Sequence, residues 1–182
     1  LTLMRKRTEK VVDYASGHGF LVRLLRDKGI NTFWSDPYSE NLVARGFEYE
    51  KENEPAILIT AFEAFEHFVN PVEEMEKILS ISSNVLITTT LAPRPTPDPS
   101  DWWYYGLDHG QHIGFFRVNT LEHLAKKFHL NLISDGKSIH FFSKERYPKY
   151  IWQSLILFSK ITPYLYSIGL KSKTLSDNLQ LK

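Results

Sequence analysis

Cysteine is absent from this chain of 182 residues, which excludes disulfide bonds and thiolate metal sites. No run of about 18 apolar residues occurs, and this argues against a membrane-spanning helix. Neither sign of charge is in excess, because 22 lysines and arginines accompany 21 acidic residues. We therefore expect no nucleic-acid partner. The lack of cysteine is compatible with a reducing compartment, so we expect a cytoplasmic protein.

The two ends of the chain differ from the rest. The first residue is Leu and a strand-like segment follows almost at once, so we expect a shortened N-terminus. Residues 150–170 are aromatic and aliphatic with basic flanks. This segment is interpreted as helices packed on the core or in a dimer, or alternatively as a peripheral membrane contact. Residues 171–182 are predicted to be a polar, frayed tail. The sequence does not decide the oligomeric state.

Apolar runs and helical patterns alternate along the first half of the chain. Strands are predicted at 10–14, 30–35, 56–60 and 84–90, and helices at 20–28, 39–45 and from residue 71. The third of these helices has Asn70 as its N-cap and Pro71 at its first position. This alternation predicts a parallel sheet with helices on its faces.

The last third of the chain departs from this alternation. Residues 91–99 are rich in proline and predict an extended loop. A helix capped by Asn119 follows, and Asp135-Gly136 then predicts a turn between antiparallel strands at 130–134 and 138–143. The fold is therefore predicted to be α/β, a three-layer αβα sandwich with a mostly parallel sheet and a C-terminal antiparallel hairpin. The predicted domains are 1–146, with an aromatic cap at 91–118, and a helical extension at 147–182.

The loop after the first strand consists of small residues, Ala15-Ser16-Gly17-His18-Gly19. Its A-x-G-x-G pattern does not fit the dinucleotide fingerprint, because the third glycine would fall at Val22. Asp36 ends the second strand, where an acid in such sheets binds the ribose hydroxyls of an adenosine. A plain strand-to-helix turn and an Asp-Pro cap are the alternatives. Both features would lie at the carboxyl edge of the sheet, where these folds bind ligands.

These motifs resemble a known family when taken in order. They are Asp13 with the small-residue loop, Ser35-Asp36-Pro37, the segment from Thr60 to His67 with its E-x-x-E-H pattern, and Asn70-Pro71. Together they resemble the methyltransferase-domain superfamily, and specifically its ubiquinone-biosynthesis-like branch, over about residues 10–143. The resemblance implies a class I, Rossmann-like S-adenosylmethionine-dependent methyltransferase that acts on a small molecule.

The resemblance also implies which residues bind the cofactor, S-adenosyl-L-methionine. They are Asp13, Ala15, Ser16, Gly17, Gly19, Phe20, Asp36, Pro37, Ala61, Phe62 and Glu63. The chain departs from the family in two places. Ala15 stands where the family usually has its first glycine, and the short stretch between Asp36 and Ala56 contains no recognisable adenine-binding acid.

The segment from Trp102 to Phe116 is rich in aromatic residues and histidine. It is predicted to form a substrate wall, or a simple packed lid, with Trp102, Trp103, Tyr104, Tyr105 and Gln111. The predicted catalytic bases are His112, His109 and His67, because imidazole titrates near neutral pH. Each of these histidines has a plain packing role as its alternative. Glu66 is expected to be structural, and no metal is expected because Asp108, His109 and His112 are poorly spaced for one.

Two other functions stay open from the sequence. A degenerate, non-catalytic domain is one of them, and the alanine at position 15 favours it. The other is a nucleotide- or NAD-binding enzyme, which the missing third glycine and the terminal hairpin disfavour. The sequence does not decide whether oxygen, nitrogen or carbon accepts the methyl group.

Overall fold

A computed structural model of the chain describes residues 4, 9–50, 55–108, 110, 112–161, 164 and 167–181. The strands are β1 (Val11–Tyr14), β2 (Thr32–Ser35), β3 (Leu58–Phe62), β4 (Asn84–Thr88), β5 (Asn131–Ser134) and β6 (Ile139–Ser143). The helices are α1 (Phe20–Asp27), α2 (Pro71–Leu79), α3 (Val118–Lys127), α4 (Lys149–Leu157) and α5 (Thr174–Gln180). The strands form one mixed sheet in the order β2-β1-β3-β4-β6-β5. The predicted α/β fold with a C-terminal hairpin is confirmed.

The chain divides into two compact units, residues 1–60 with 147–182 and residues 61–146. In the first unit, β1 pairs in parallel with β2 and with the start of β3. All four residues of β1 are buried, as expected for the centre of a parallel sheet covered on both faces. The predicted boundary at residue 146 stays a prediction.

In the second unit, β4 pairs antiparallel with β6, and β6 pairs antiparallel with β5. The hairpin turn is held by Asp135, whose carboxylate accepts the N–H groups of Lys137, Ser138 and Ile139. Helix α2 begins as predicted, because the Asn70 side chain accepts the Glu73 N–H at 3.4 Å. The turn and the cap are local features that the sequence identifies correctly.

The helix predicted at 39–45 is wrong, because these residues form turns and bends. The Asn41 side chain accepts the Ala44 N–H at 2.9 Å, and such bonds to the backbone compete with a helix. The N-cap prediction for α3 is also wrong, because this helix begins at Val118 and no side chain caps it. Strand β3 runs to Phe62, so Ala61 and Phe62 end the strand.

The frayed tail predicted at 171–182 is also wrong, because Thr174–Gln180 forms helix α5. The buried Asp177 carboxylate accepts Arg26 Nε at 2.8 Å and Arg26 Nη2 at 2.7 Å. The Arg26 guanidinium lies 3.6 Å from the centre of the Phe47 ring. This ion pair joins residues 151 positions apart, which is why the local sequence gives no sign of it.

Helices long and apolar enough to cross a membrane are absent from the part of the chain that the structure describes.

Candidate functional site

The small-residue loop leaves the end of β1 through a series of left-handed backbone conformations. Ala15, Gly17 and Gly19 have φ angles of 57°, 55° and 90°. Glycine adopts this region freely, but an alanine there is strained by about 1 kcal/mol. The alanine at position 15 therefore adopts a left-handed conformation at some cost in stability.

The two glycines of the loop have different surroundings. A Cβ added to Gly19 would lie 2.9 Å from both the Ala44 Cβ and the Asn41 Oδ1, so this glycine allows close packing within the protein. A Cβ added to Gly17 would meet nothing within 4 Å. Gly17 is thus the position where the loop backbone borders open space, as a ligand contact requires.

Asp36 follows β2 and ties the loop to this strand. Its Oδ2 accepts the Gly17 N–H at 2.8 Å, and its Oδ1 accepts the N–H groups of Tyr38 at 2.8 Å and Ser39 at 3.0 Å. Trp34 Nε1 donates to the Gly17 carbonyl at 2.8 Å. Gly17 and Asp36, which were both predicted to bind the adenosyl group, are therefore hydrogen-bonded to each other.

Asp13 is buried beneath this loop, with only 3% of its surface exposed. Its carboxylate accepts the hydroxyls of Ser16 at 2.7 Å and Thr60 at 2.6 Å. Burial raises the pKa of Asp13, the two hydroxyl hydrogen bonds lower it, and the charge of Asp36 raises it further, with a net rise. These partners indicate that Asp13 and Ser16 position the loop.

The other residues predicted to contact the cofactor are spread over both units. In the first unit, Phe20 at the start of α1 and Pro37 are exposed. In the second unit, Ala61 is buried and Phe62 is half-buried. Glu63 has a left-handed φ of 48°, and its N–H donates to the Thr88 carbonyl at 3.1 Å and to the Thr88 Oγ1 at 3.0 Å.

A second polar cluster lies in the unit 61–146 and centres on Glu66. This residue has 0% of its surface exposed, and its Oε1 accepts the Tyr104 hydroxyl at 2.7 Å. Its Oε2 is buried without a hydrogen-bond partner among the described residues. Burial raises the pKa of Glu66, while the bond from Tyr104 lowers it, and the net shift is a rise. An unsatisfied buried oxygen is costly, so a proton or a bound ligand at Oε2 would stabilise this cluster.

Tyr104 connects this cluster to the end of β4. Its hydroxyl lies 3.2 Å from Glu63 Oε2 and 3.3 Å from Thr89 Oγ1. Only 1% of Tyr104 is exposed, and this burial is the main reason why the pKa of its hydroxyl is raised. Tyr104 was predicted as part of a substrate wall, but the structure places it inside the unit as a hydrogen-bond donor to Glu66.

Two of the three predicted catalytic histidines meet at this cluster. The rings of His67 and His112 have their centres 5.0 Å apart. His112 Nδ1 lies 2.7 Å from the Tyr104 carbonyl oxygen, which can only accept a hydrogen bond. Nδ1 is therefore the protonated nitrogen, and Nε2 keeps its lone pair for a proton or a metal ion. The third histidine, His109, lies outside the described residues.

Glu66, His67 and His112 each offer one ligand atom, and these atoms lie within 4.8 Å of one another. Two imidazoles and a carboxylate suit first-row transition metals such as Mn²⁺, Fe²⁺ or Zn²⁺. The bond from His112 Nδ1 to a carbonyl is the kind of contact that orients a metal-binding imidazole. From the sequence, no metal and a structural role for Glu66 were expected, and both stay predictions. Only the fold brings these three residues together.

The predicted aromatic wall divides into exposed and buried members. Trp103 is 78% exposed, whereas Trp102 and Tyr105 are half-buried and pack against Phe115. The Tyr105 hydroxyl donates to the Pro97 carbonyl at 3.0 Å, which fastens the wall to the proline-rich loop. Gln111, also predicted here, lies outside the described residues.

Sequence patterns offered no signal for the partners that complete either cluster. Thr60 is 47 positions from Asp13, and Tyr104 is 38 positions from Glu66. Thr89 was likewise missed, although it lies within the strand predicted at 84–90. The E-x-x-E-H pattern is the one local signal that marked Glu63, Glu66 and His67 together.

The fold is shared with solved methyltransferases. The crystal structure of OxaC in complex with SAH and oxaline has a TM-score of 0.52 and 16% identity, covering 75% of this chain and 42% of that chain. The small RNA methyltransferase HEN1 has a TM-score of 0.55 and 14% identity, covering 80% of this chain and 24% of that chain. This chain thus spans less than half of either protein. No curated protein matches its sequence.

A family model provides the assignment that these distant structures do not. Residues 1–135 match a family described as a methyltransferase domain, and this span is well over half of the chain. The observed sheet, with its C-terminal antiparallel hairpin, is the one that the resemblance implied. The chain therefore belongs to the methyltransferase domain family.

Proposed function

We propose that this chain transfers the methyl group of S-adenosylmethionine to a hydroxyl oxygen of a small molecule. One observation carries the cofactor assignment. The Gly17 N–H donates to the Asp36 carboxylate at 2.8 Å, and the Gly17 Cα borders open space. A flat backbone surface beside a fixed carboxylate suits an adenosyl group, whose ribose hydroxyls need an acceptor.

Asp36 retains acceptor capacity for this ribose. Its carboxylate accepts three N–H groups, whereas a carboxylate offers about four acceptor positions. The residue is also partly exposed. The first turn of α1 contains no acidic residue, so its free N–H groups suit the carboxylate of the methionine part.

The cluster around Glu66 favours a hydroxyl acceptor, because it can take a proton. In the transfer, the acceptor oxygen attacks the methyl carbon, the carbon–sulfur bond breaks, and S-adenosylhomocysteine leaves. The hydroxyl proton must go to a base, and His112 Nε2 has a free lone pair for it. The remaining contribution is positioning and exclusion of water, which accounts for much of the catalysis of such displacements.

Calorimetry with S-adenosylhomocysteine and with NAD tests the cofactor proposal. The chain is expected to bind the former and not the latter. Asp36→Ala should weaken the binding of S-adenosylhomocysteine by about 1–3 kcal/mol, because the buried ribose hydroxyls lose their acceptor. Asp135→Ala is the matched control, since Asp135 also accepts three backbone N–H groups but in the β5–β6 turn. Equal losses in both variants would contradict the role of Asp36.

The proton-accepting role of His112 predicts a separable effect. His112→Ala should lower kcat by about 100-fold or more while leaving the affinity for S-adenosylhomocysteine unchanged. Treatment with a chelator, followed by addition of Mn²⁺ or Zn²⁺, then distinguishes a metal-binding role of the cluster from a proton-accepting role. If the chelator abolishes activity and the metal ion restores it, the cluster is a metal site. If activity does not change, the cluster acts as a proton acceptor without a metal. Loss of cofactor affinity in His112→Ala would contradict both.

Binding of neither S-adenosylhomocysteine nor NAD would favour the degenerate, non-catalytic domain instead. The ubiquinone-biosynthesis-like branch, the cytoplasmic location and a peripheral membrane contact through 150–170 stay predictions. A nucleic-acid acceptor is disfavoured by the net charge of +1, although HEN1 is a small RNA methyltransferase.

A further inference from the structure

A cavity of about 460 Å³ lies beyond the end of β4 in the unit 61–146. Three parts of the chain line it: residues 90–94 after β4, residues 117–119 at the start of α3, and residues 136–137 in the β5–β6 turn. Because β4 and β5 both run antiparallel to β6, their carboxyl ends lie at one edge of the sheet, and this is the edge at which open α/β sheets bind ligands. The cavity is distinct from the Glu66 cluster, and none of its lining residues was predicted as a site residue.

The walls of this cavity are fastened to one another by main-chain hydrogen bonds. The Leu91 N–H donates to the Lys137 carbonyl at 2.8 Å, and the Ala92 N–H donates to the Phe116 carbonyl at 2.8 Å. Arg117 Nη2 donates to Thr96 Oγ1 at 2.6 Å and to the Pro93 carbonyl at 3.3 Å. These bonds connect the three segments that form the walls of the cavity.

All charged residues that line the cavity are cationic: Arg94, Arg117 and Lys137. No ion pair joins any of them to a carboxylate among the described residues. The neighbouring acid, Asp135, does not line the cavity, and its Oδ1 accepts three backbone N–H groups of its own turn. Arg117 Nε is buried without an acceptor in the described part of the chain. Three cations without a carboxylate partner among the described residues give the cavity a positive potential, which favours an anion.

The start of α3 adds to this positive field. The helix has ten residues, no side chain caps its N-terminus, and its first turn contains no acidic residue. Val118 and Asn119 of this first turn line the cavity. The free N–H groups of a helix N-terminus carry partial positive charge and suit an anion.

We propose that this cavity binds an anionic group, a carboxylate or a phosphate, of the methyl acceptor. The link to the acceptor rests on the proposed methyltransferase function, whereas the binding of the anion does not. Arg94 and Lys137 would contact the anion through their charges, and the first N–H groups of α3 would donate to it. Arg117 would hold the proline-rich wall through its bonds to Thr96 and Pro93.

The test is a titration of the full chain, followed by NMR of its backbone amides. Inorganic phosphate and acetate are added in separate arms at constant ionic strength, with chloride as the reference salt. The amides of Val118, Asn119 and Lys137 are expected to shift with phosphate or acetate and not with chloride. The arm that saturates at the lower concentration identifies the preferred anion.

Variants separate a built site from general charge screening. The double variant Arg94→Gln with Lys137→Gln should weaken the binding of the preferred anion about tenfold, because it removes two of the three cations that line the cavity. The control is Lys144→Gln, which removes an exposed cation just after β6 and should change nothing. No saturable shift in the wild type, or equal weakening in both variants, would overturn the proposal.

The same samples distinguish this failure from failure of the proposed function. Calorimetry with S-adenosylhomocysteine is run on wild type and on the double variant, and unchanged affinity is expected. Cofactor binding without anion binding would overturn the cavity proposal alone. Anion binding without cofactor binding would overturn the methyltransferase proposal and the link to the acceptor, leaving an anion site.

Discussion

Asp13 and Glu66 are both buried carboxyl groups whose pKa is raised by burial, but their surroundings differ. Both oxygens of Asp13 accept a hydroxyl of the protein, from Thr60 and from Ser16. One oxygen of Glu66 accepts Tyr104, and the other has no partner among the described residues. We therefore expect the completion of the hydrogen bonds, and not burial alone, to distinguish a structural acid from a functional one.

The largest effect that tests this contrast is expected at Glu66. Glu66→Gln keeps the size of the side chain and an acceptor for Tyr104, but it removes the carboxylate that would hold a proton or a metal ion. We expect kcat to fall about 100- to 10,000-fold. The free energy of unfolding should change by less than about 1 kcal/mol. Steady-state kinetics and chemical denaturation measure the two quantities on one sample.

The control for this variant is Asp13→Ala, where the opposite result is expected. Loss of the carboxylate leaves two hydroxyls without their acceptor, so the free energy of unfolding should fall by about 2–3 kcal/mol. Because Asp13 positions the glycine loop, the cofactor affinity of the folded variant should fall, whereas kcat at saturating S-adenosylmethionine should stay close to that of the wild type. A stable but inactive Asp13 variant would remove the distinction between the two carboxyl groups.

The two loop glycines repeat the contrast on a smaller scale. Gly19→Ala would place a Cβ 2.9 Å from Ala44 and Asn41 in a left-handed backbone, so we expect a loss of about 2–3 kcal/mol of stability. Gly17→Ala meets no protein atom within 4 Å and should cost only about 1 kcal/mol. Its main effect should be weaker S-adenosylhomocysteine binding. Thermal denaturation and calorimetry compare the pair, and a Gly17 variant with normal affinity would contradict the ligand contact.

His140 provides the smallest test, because it is a buried group with both nitrogens partnered. Its ring lies 2.8 Å from Ser134 Oγ and 3.1 Å from the Thr89 carbonyl. Burial lowers its pKa, against the opposing effects of that carbonyl and of Asp135. The unfolded chain therefore binds a proton below about pH 6.5 that the folded chain does not, so stability falls as the pH decreases.

Between pH 7 and pH 5 this effect amounts to at most about 1.4 kcal/mol per pH unit. His140→Gln should be less stable than the wild type at pH 7 and should lose less stability on going to pH 5. Asp177 does not interfere, because the Arg26 pair outweighs burial and lowers its pKa. Its contribution is lost only as the pH falls below about 3.8. The free energy of unfolding is measured for both proteins by chemical denaturation at pH 7 and at pH 5. An equal loss of stability in wild type and His140→Gln would contradict the buried, neutral state of His140.

Most of the fold could be predicted because its signals are local. Alternating apolar runs gave the central strands, the Asn70-Pro71 pair gave the start of α2, and Asp135-Gly136 gave the hairpin turn. The predictions failed where a side chain bonds to its own backbone, as at Asn41, or where a distant partner decides the structure. The candidate cofactor loop was likewise predicted, because its residues are contiguous and Asp36 directly ends a strand.

The sequence by itself determined the alternation of strands and helices, the path of the glycine loop and the family. Each depends on residues within a few positions of one another, where backbone sterics and periodicity decide the outcome. Only the tertiary structure decided that Tyr104 meets Glu66, that Asp177 pairs with Arg26 and that three cations share one cavity. Those contacts join residues tens to more than a hundred positions apart, which chain folding brings together and no local pattern encodes.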